Sequence, residues 1–81
     1  MEIREITTPD DKQRIARLIL EALPDWFGIP EAREEYIEKS AAQPFFAAFD
    51  GERAIGFLCL AETGRDTVEL YVMGVLKEYH R

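Results

Sequence analysis

Cysteine is nearly absent from this sequence: Cys59 is the only one among 81 residues, and His80 is the only histidine. An internal disulfide is therefore excluded, and no Cys/His cluster offers the ligand set of a structural metal. Long apolar runs are missing too. The longest nearly uncharged stretch, residues 54–61, falls far short of the roughly 20 residues that a membrane helix needs. Residues 1–5 lack the cationic segment and apolar run of a secretory leader, so the expected compartment is the cytoplasm, where a lone thiol stays reduced. Positive charge is in the minority, with Lys+Arg 10 against Asp+Glu 16 and a net charge of −6. A phosphate backbone repels such a chain, which argues against a reader of nucleic acid.

What is present is a core. Apolar residues make up 47% of the sequence, too many for a disordered acidic segment. The length allows one domain, residues 1–81, and excludes an enclosed two-domain cleft. At roughly 80 residues one core rarely supplies more than about 3–5 kcal/mol without a disulfide, metal or partner. No repeat, low-complexity tract or linker interrupts the chain.

Residues 2–7 alternate polar and apolar and predict a first strand. Thr8, Pro9, Asp10 and Asp11 then form a helix start, with a capping residue, a first-turn proline and two carboxylates at the positive dipole end. Ile15, Leu18, Ile19, Ala22 and Leu23 trace one apolar stripe, and Pro24 ends the helix. Residues 25–29 read as a turn. Pro30 opens a second helix with a thinner apolar face of Ile29, Ala32, Tyr36 and Ile37, and Glu35 and Lys39 form a supporting i,i+4 pair. From Pro44 the period changes. Residues 45–49 and about 53–62 predict strands joined by a hairpin at Asp50-Gly51. A polar turn at 63–66 leads to a last strand over about 67–75. Alternation there puts Val68, Leu70 and Val72 on one face and Tyr71, Met73 and Val75 on the other, so both faces and both edges call for cover. The expected fold is α+β, in the order β-α-α-β-β-β, with an antiparallel meander packed on two helices.

That order resembles the first half of the GNAT superfamily of N-acetyltransferases, which use acetyl-CoA. Residues 68–81 are similar to the family's fourth strand and the approach to its cofactor loop, whose pattern is Val-x-Pro-x-x-(Gln/Arg)-x-x-Gly-x-Gly. Val75 falls on the Val, Lys77 where Pro is frequent, His80 where Gln or Arg is usual, and Arg81 one position later. The two glycines of that pattern do not occur within the 81 residues. The resemblance implies a partial GNAT fold without the loop whose backbone N–H groups hold the cofactor pyrophosphate.

The same resemblance implies roles for particular residues. Met73, Gly74 and Val75 would contact the pantetheine arm, with His80 and Arg81 at the entry to the phosphate site. Gly74 fits a bulge or a close approach of another backbone. Glu69 stands where a family carboxylate acts as general base on the acceptor ammonium, often through water; a salt bridge to Arg65 or Arg53 is the alternative. Trp26 and Phe27 fall where the family lines its acceptor pocket, or else seal the helices onto the sheet. Asp25, Glu31, Glu34 and Glu35 either draw in a cationic amine or form a solvated helix face. Cys59, in an apolar run without a neighbouring histidine, reads as core and not as a nucleophile.

Two functions follow as expectations. One is acetyl transfer from acetyl-CoA to an amine acceptor, a small molecule or peptide, with little or no turnover by the 81-residue chain itself. The other is a non-catalytic interaction module that forms a homodimer or higher assembly through its exposed last strand.

Overall fold

The structure, a computed structural model, describes residues 1–79. Its strands are β1 (Glu2–Glu5), β2 (Phe45–Asp50), β3 (Arg53–Glu62) and β4 (Val68–Val75), and its helices are α1 (Pro9–Glu21), α2 (Pro24–Phe27) and α3 (Pro30–Ser40). A single 3-10 turn, Lys77–Tyr79, follows β4. The fold is α+β, with one antiparallel sheet in the order β1-β2-β3-β4. None of the described helices is long and apolar enough to cross a membrane.

All three helices begin with proline at the first helical position, whose fixed φ suits the turn and whose missing N–H costs nothing there. Thr8 occupies the expected cap position of α1 in extended conformation, but its hydroxyl makes no cap bond. The expected turn at 25–29 contains a helical turn instead. Pro24 ends α1 and at once starts α2, whose Trp26 and Phe27 N–H groups both donate to the Leu23 carbonyl. In the β2–β3 hairpin Asp50 pairs with Arg53, leaving Gly51-Glu52 as the loop. Gly51 has φ +64°, the only positive φ among the described residues. That places glycine at the first central position of a two-residue turn, the type II′ arrangement.

The core lies between the sheet and α1 with α3. Phe45 and Phe57 stack across β2 and β3 with centroids 5.1 Å apart, under Ile15, Ala16, Ile19, Leu20 and Leu23 from α1 and Ile37 from α3. The buried stripe of α1 therefore differs from the expected one. Leu18 is 52% exposed and Ala22 is exposed, whereas Lys12, Ala16 and Leu20 are buried. The helix is rotated so that Lys12 points inward: its Nζ donates to the Gln43 carbonyl at 2.8 Å and to the Ala41 carbonyl at 3.5 Å. On α3, Ala32 and Ile29 are exposed, and Ile37 and Ser40 supply the buried face with Tyr36 partly covered.

The last strand needs a second correction. Cys59 pairs with Val72 but Leu60 pairs with Leu70, so Tyr71 is the extra residue of a β-bulge. One inserted residue reverses the alternation. Val72 points to the core at 6% exposure while Val68 and Leu70, expected on its face, stand on the opposite side at 55% and 54%. Tyr71 turns toward the helices and meets Tyr36 edge-on at 5.4 Å. Gly74 is not the bulge: it pairs in register with Phe57. The strand nevertheless lies close to α1 there: a Cβ would be 3.1 Å from Ile19 Cγ2 and 3.3 Å from Leu23 Cδ1, so those side chains would have to give by a few tenths of an ångström.

Candidate functional site

A cleft of about 340 Å³ opens where the end of α1, helix α2 and the end of β4 meet; Leu23, Trp26, Phe27, Met73, Gly74, Val75 and Tyr79 line it. Its origin is local. The Pro24 break turns the chain sharply after Leu23, so Trp26 and Phe27 project beside β4 instead of continuing α1. Gly74 lacks a side chain at the point of closest approach, which lets α1 sit down on the strand. Phe27 is braced edge-on by Tyr36 at 6.0 Å, whereas Trp26 is 59% exposed.

Tyr79 closes the lower wall. Its hydroxyl donates to Asp50 Oδ2 at 2.9 Å, and the Arg53 guanidinium lies 6.0 Å from the ring centroid. The hydrogen bond to the Asp50 carboxylate, followed by burial, pushes the Tyr79 phenol above its ordinary range, so it is a neutral donor at neutral pH. Arg53 also pairs with Glu78 at 2.9 Å, fixing the 3-10 turn against the hairpin. Lys77 Nζ and Asp25 Oδ2 are 3.9 Å apart, a loose exposed pair.

Five residues expected to act at a site, Trp26, Phe27, Met73, Gly74 and Val75, thus line one cleft. Glu69 does not. It is exposed near the start of β4, in register with Ala61. Neither expected partner pairs with it among the described residues, because Arg53 is taken by Glu78 and Arg65 stands in the polar turn without an ion pair. His80 and Arg81 lie outside the described residues. Leu23 and Tyr79 were not anticipated as site residues. Leu23 carries a core signal only, and Tyr79 joins through an Asp50 contact across 29 positions of sequence.

The acidic helix face is mostly paired. Arg17 forks onto Glu34 with two 2.7 Å hydrogen bonds and reaches Glu21 at 3.1 Å, tying α1 to α3. That guanidinium holds the Glu34 carboxyl below the ordinary carboxylate range. Lys39 pairs with Glu35 at 2.9 Å, as the i,i+4 spacing predicts. On the far side of α2 a second hollow of about 210 Å³ is lined by Trp26, Phe27, Ile29, Ala32, Arg33 and Tyr36. The buried Nε of Arg33 has no hydrogen-bond partner among the described residues.

Cys59 is fully buried in the core, with its Sγ 3.1 Å from Gln43 Oε1. Burial pushes the thiol above its ordinary range, the opposite of what a nucleophile needs. No group of three or more metal-ligating side chains occurs among the described residues. No known protein family, curated protein or solved structure matches this chain.

Proposed function

We propose that the cleft receives the pantetheine arm and thioester of acetyl-CoA, and that the chain is the N-terminal half of a GNAT-type N-acetyltransferase fold. The supporting observation is the convergence of Trp26, Phe27, Met73, Gly74 and Val75 on one apolar cleft. The resemblance assigned these residues to acceptor and cofactor from two segments some 45 positions apart in the sequence. The residues present fit the arm in that the lining is predominantly apolar. A volume of 340 Å³ lies at the small end of the range for organic ligands of about 300–1,000 Å³. The thioester supplies the activated acetyl group when bound. Trp26 and Phe27 then flank the amine acceptor, and the Tyr79 ring, its hydroxyl donating to Asp50, forms the cleft wall.

Glu69 remains the candidate base. It precedes Met73 by four residues on the same strand, about 13 Å at the usual rise, so in this reading the acceptor's proton reaches it along a chain of several waters and not by contact. No Gly-x-Gly loop is present in the 81 residues, so the pyrophosphate gains little, and turnover by this chain alone is expected to be negligible because cofactor positioning dominates such catalysis. Calorimetry with S-acetylpantetheine and with acetyl-CoA tests the reading. Both ligands should bind alike, near the millimolar level worth about −4 kcal/mol. Acetyl-CoA binding more than about tenfold tighter, 1.4 kcal/mol, would contradict the missing phosphate grip. Absence of binding by either would remove the cleft assignment itself.

A second reading is favoured by the position of β4. It is the terminal strand of the sheet, and Val68, Leu70 and Met73 on it are half-exposed. A strand edge of this kind supports the interaction-module alternative, with association through β4.

A further inference from the structure

The hollow on the far side of α2 holds a charge that the fold leaves unanswered. Arg33 lines it and is half-buried, and its Nε is the only buried side-chain nitrogen or oxygen among the described residues without a hydrogen-bond partner. Such an orphan calls for an explanation, because leaving a charged group's donor unmatched is costly. The local sequence accounts for the missing partner. Side chains on a helix meet those three and four positions away, and around Arg33 these are Ile29, Pro30, Tyr36 and Ile37, none of them acidic. Glu31, two positions back, lies on another face of the helix. Glu34 is taken by Arg17 and Glu35 by Lys39. Every other described lysine and arginine has a carboxylate or carbonyl partner except Arg65, which is exposed in the polar turn. In a chain of net charge −6, a half-buried arginine left single is the exception.

We propose that this hollow binds a small aromatic carboxylic acid, its carboxylate on Arg33 and its ring against Trp26, Phe27 and Tyr36. A carboxylate pairs with Nε and one terminal nitrogen on the same edge of a guanidinium, in two parallel hydrogen bonds, and so satisfies the orphan. Nε is covered as the side chain stands, so seating the acid takes a small rotation of the guanidinium, of the kind common at binding surfaces. The walls suit a ring. Phe27 meets Tyr36 edge-on at 6.0 Å, and Tyr36 is backed edge-on by Tyr71 at 5.4 Å, which leaves the hollow an aromatic lining for a further ring to pack on. Its volume of about 210 Å³ is below the range of about 300–1,000 Å³ for larger organic ligands, which limits the occupant to one ring with a short acid arm. The positive end of α3 adds to the attraction, because Ile29 and Ala32 of its N-terminal turn line the hollow and no side chain caps that end.

The hollow is built into the chain path. A Cβ on Gly28 would lie 2.6 Å from the Pro24 carbonyl oxygen, closer than real side chains come to backbone, so the passage from α2 to α3 is set between Pro24, Gly28 and Pro30. Trp26 and Phe27 stand between this hollow and the cleft and line both, but no residue of β4 lines the hollow. The proposal therefore does not rest on the acetyl-transfer reading, whose ligand lies along Met73 and Gly74.

Nitrogen-proton correlation spectra of the labelled 81-residue chain, titrated with phenylacetate and in parallel with its uncharged analogue phenylacetamide, test it. Phenylacetate should shift the Arg33 Nε–H signal and the amides of Phe27, Ala32 and Tyr36 with a dissociation constant near the millimolar level, and leave Met73 and Gly74 unmoved. The amide should bind at least about tenfold more weakly, since it offers no charge-assisted pair. Added salt should weaken the acid and not the amide. Arg33→Met should bring the acid down to the amide's affinity with unchanged far-UV circular dichroism. Equal binding of acid and amide overturns the proposal, as does an acid whose binding survives Arg33→Met. Shifts on Met73 and Gly74 in place of Arg33, or none at about 10 mM acid, overturn it too. Inorganic phosphate binding as tightly as phenylacetate refutes the role given to the aromatic walls. Should Arg33→Met lose its structure, the comparison of acid with amide on the wild type decides alone.

Discussion

Replacing Lys12 with Met tests the packing of α1 on α3 more sharply than any core truncation. Lys12 is a charged residue at 8% exposure, with its ammonium on the carbonyls of Gln43 at 2.8 Å and Ala41, the residue capping α3, at 3.5 Å. Methionine keeps the buried aliphatic stem and removes only the charge and its donors. A hydrogen bond involving a charged group contributes about 1.5–3 kcal/mol. The favourable placement of a cation at a helix C-terminus is part of the same contact, and the two are not to be summed. Relief from burying an ammonium works in the other direction. The expected net loss is about 2 kcal/mol, which at about 4–8 °C per kcal/mol in a domain this small lowers Tm by roughly 10 °C. Urea unfolding at fixed chain concentration, followed by circular dichroism, measures it as a shift in midpoint at constant slope. The exposed Arg14, whose pair with Asp11 is 3.3 Å long and open to water, is the control, and Arg14→Met should leave the midpoint within error. A Lys12→Met variant as stable as the wild type, or more stable, would refute the assignment of the Lys12 ammonium as the cap of α3.

Two further perturbations probe the hairpin and the core. Gly51→Ala should destabilise by about 1 kcal/mol, because φ +64° strains an L-residue although nothing lies within 4 Å of the added Cβ; Gly51→Asn should recover most of that in the same unfolding assay. The Cys59 thiol is pushed up by burial, so the folded state holds its proton above the ordinary thiol range. Stability should therefore be level below about pH 8 and decline as pH rises past the unfolded pKa, by at most about 1.4 kcal/mol per pH unit from this group. Cys59→Ala should delay the decline; an identical alkaline profile in both proteins would show that the thiol does not contribute.

Much of the architecture can be traced to local chemistry. Prolines 9, 24 and 30 set helix starts, the Asp50-Gly51 pair set the hairpin, and β-propensity set the three-strand meander. Where the fold departs from the local pattern, the cause is a partner distant in sequence. Lys12 reads as a solvated residue until the carbonyls at 41 and 43 are brought to it. The bulge at Tyr71 exists only relative to β3, and no pattern within 68–75 marks it; its consequence, the exposure of Val68 and Leu70, was lost with it. Gly74 is neither the expected bulge nor a place where another backbone approaches: it pairs in register with Phe57, and the group close to it is the side-chain layer of α1. The cleft residues on α2 and β4 were named through a family resemblance. From their own spacing nothing would have joined Trp26 to Met73, and Tyr79 enters the wall only because Asp50 holds its hydroxyl.

The cleft is the central claim, and nitrogen-proton correlation spectra of the labelled chain during titration with S-acetylpantetheine test it most directly. The account predicts progressive shifts confined to the Trp26 indole and the amides of Leu23, Phe27, Met73, Gly74 and Tyr79, with the amides of β1 unmoved. Unchanged spectra at about 10 mM ligand, well above the millimolar affinity expected, would contradict it, as would shifts gathered on the outer face around Ala48 and Leu58.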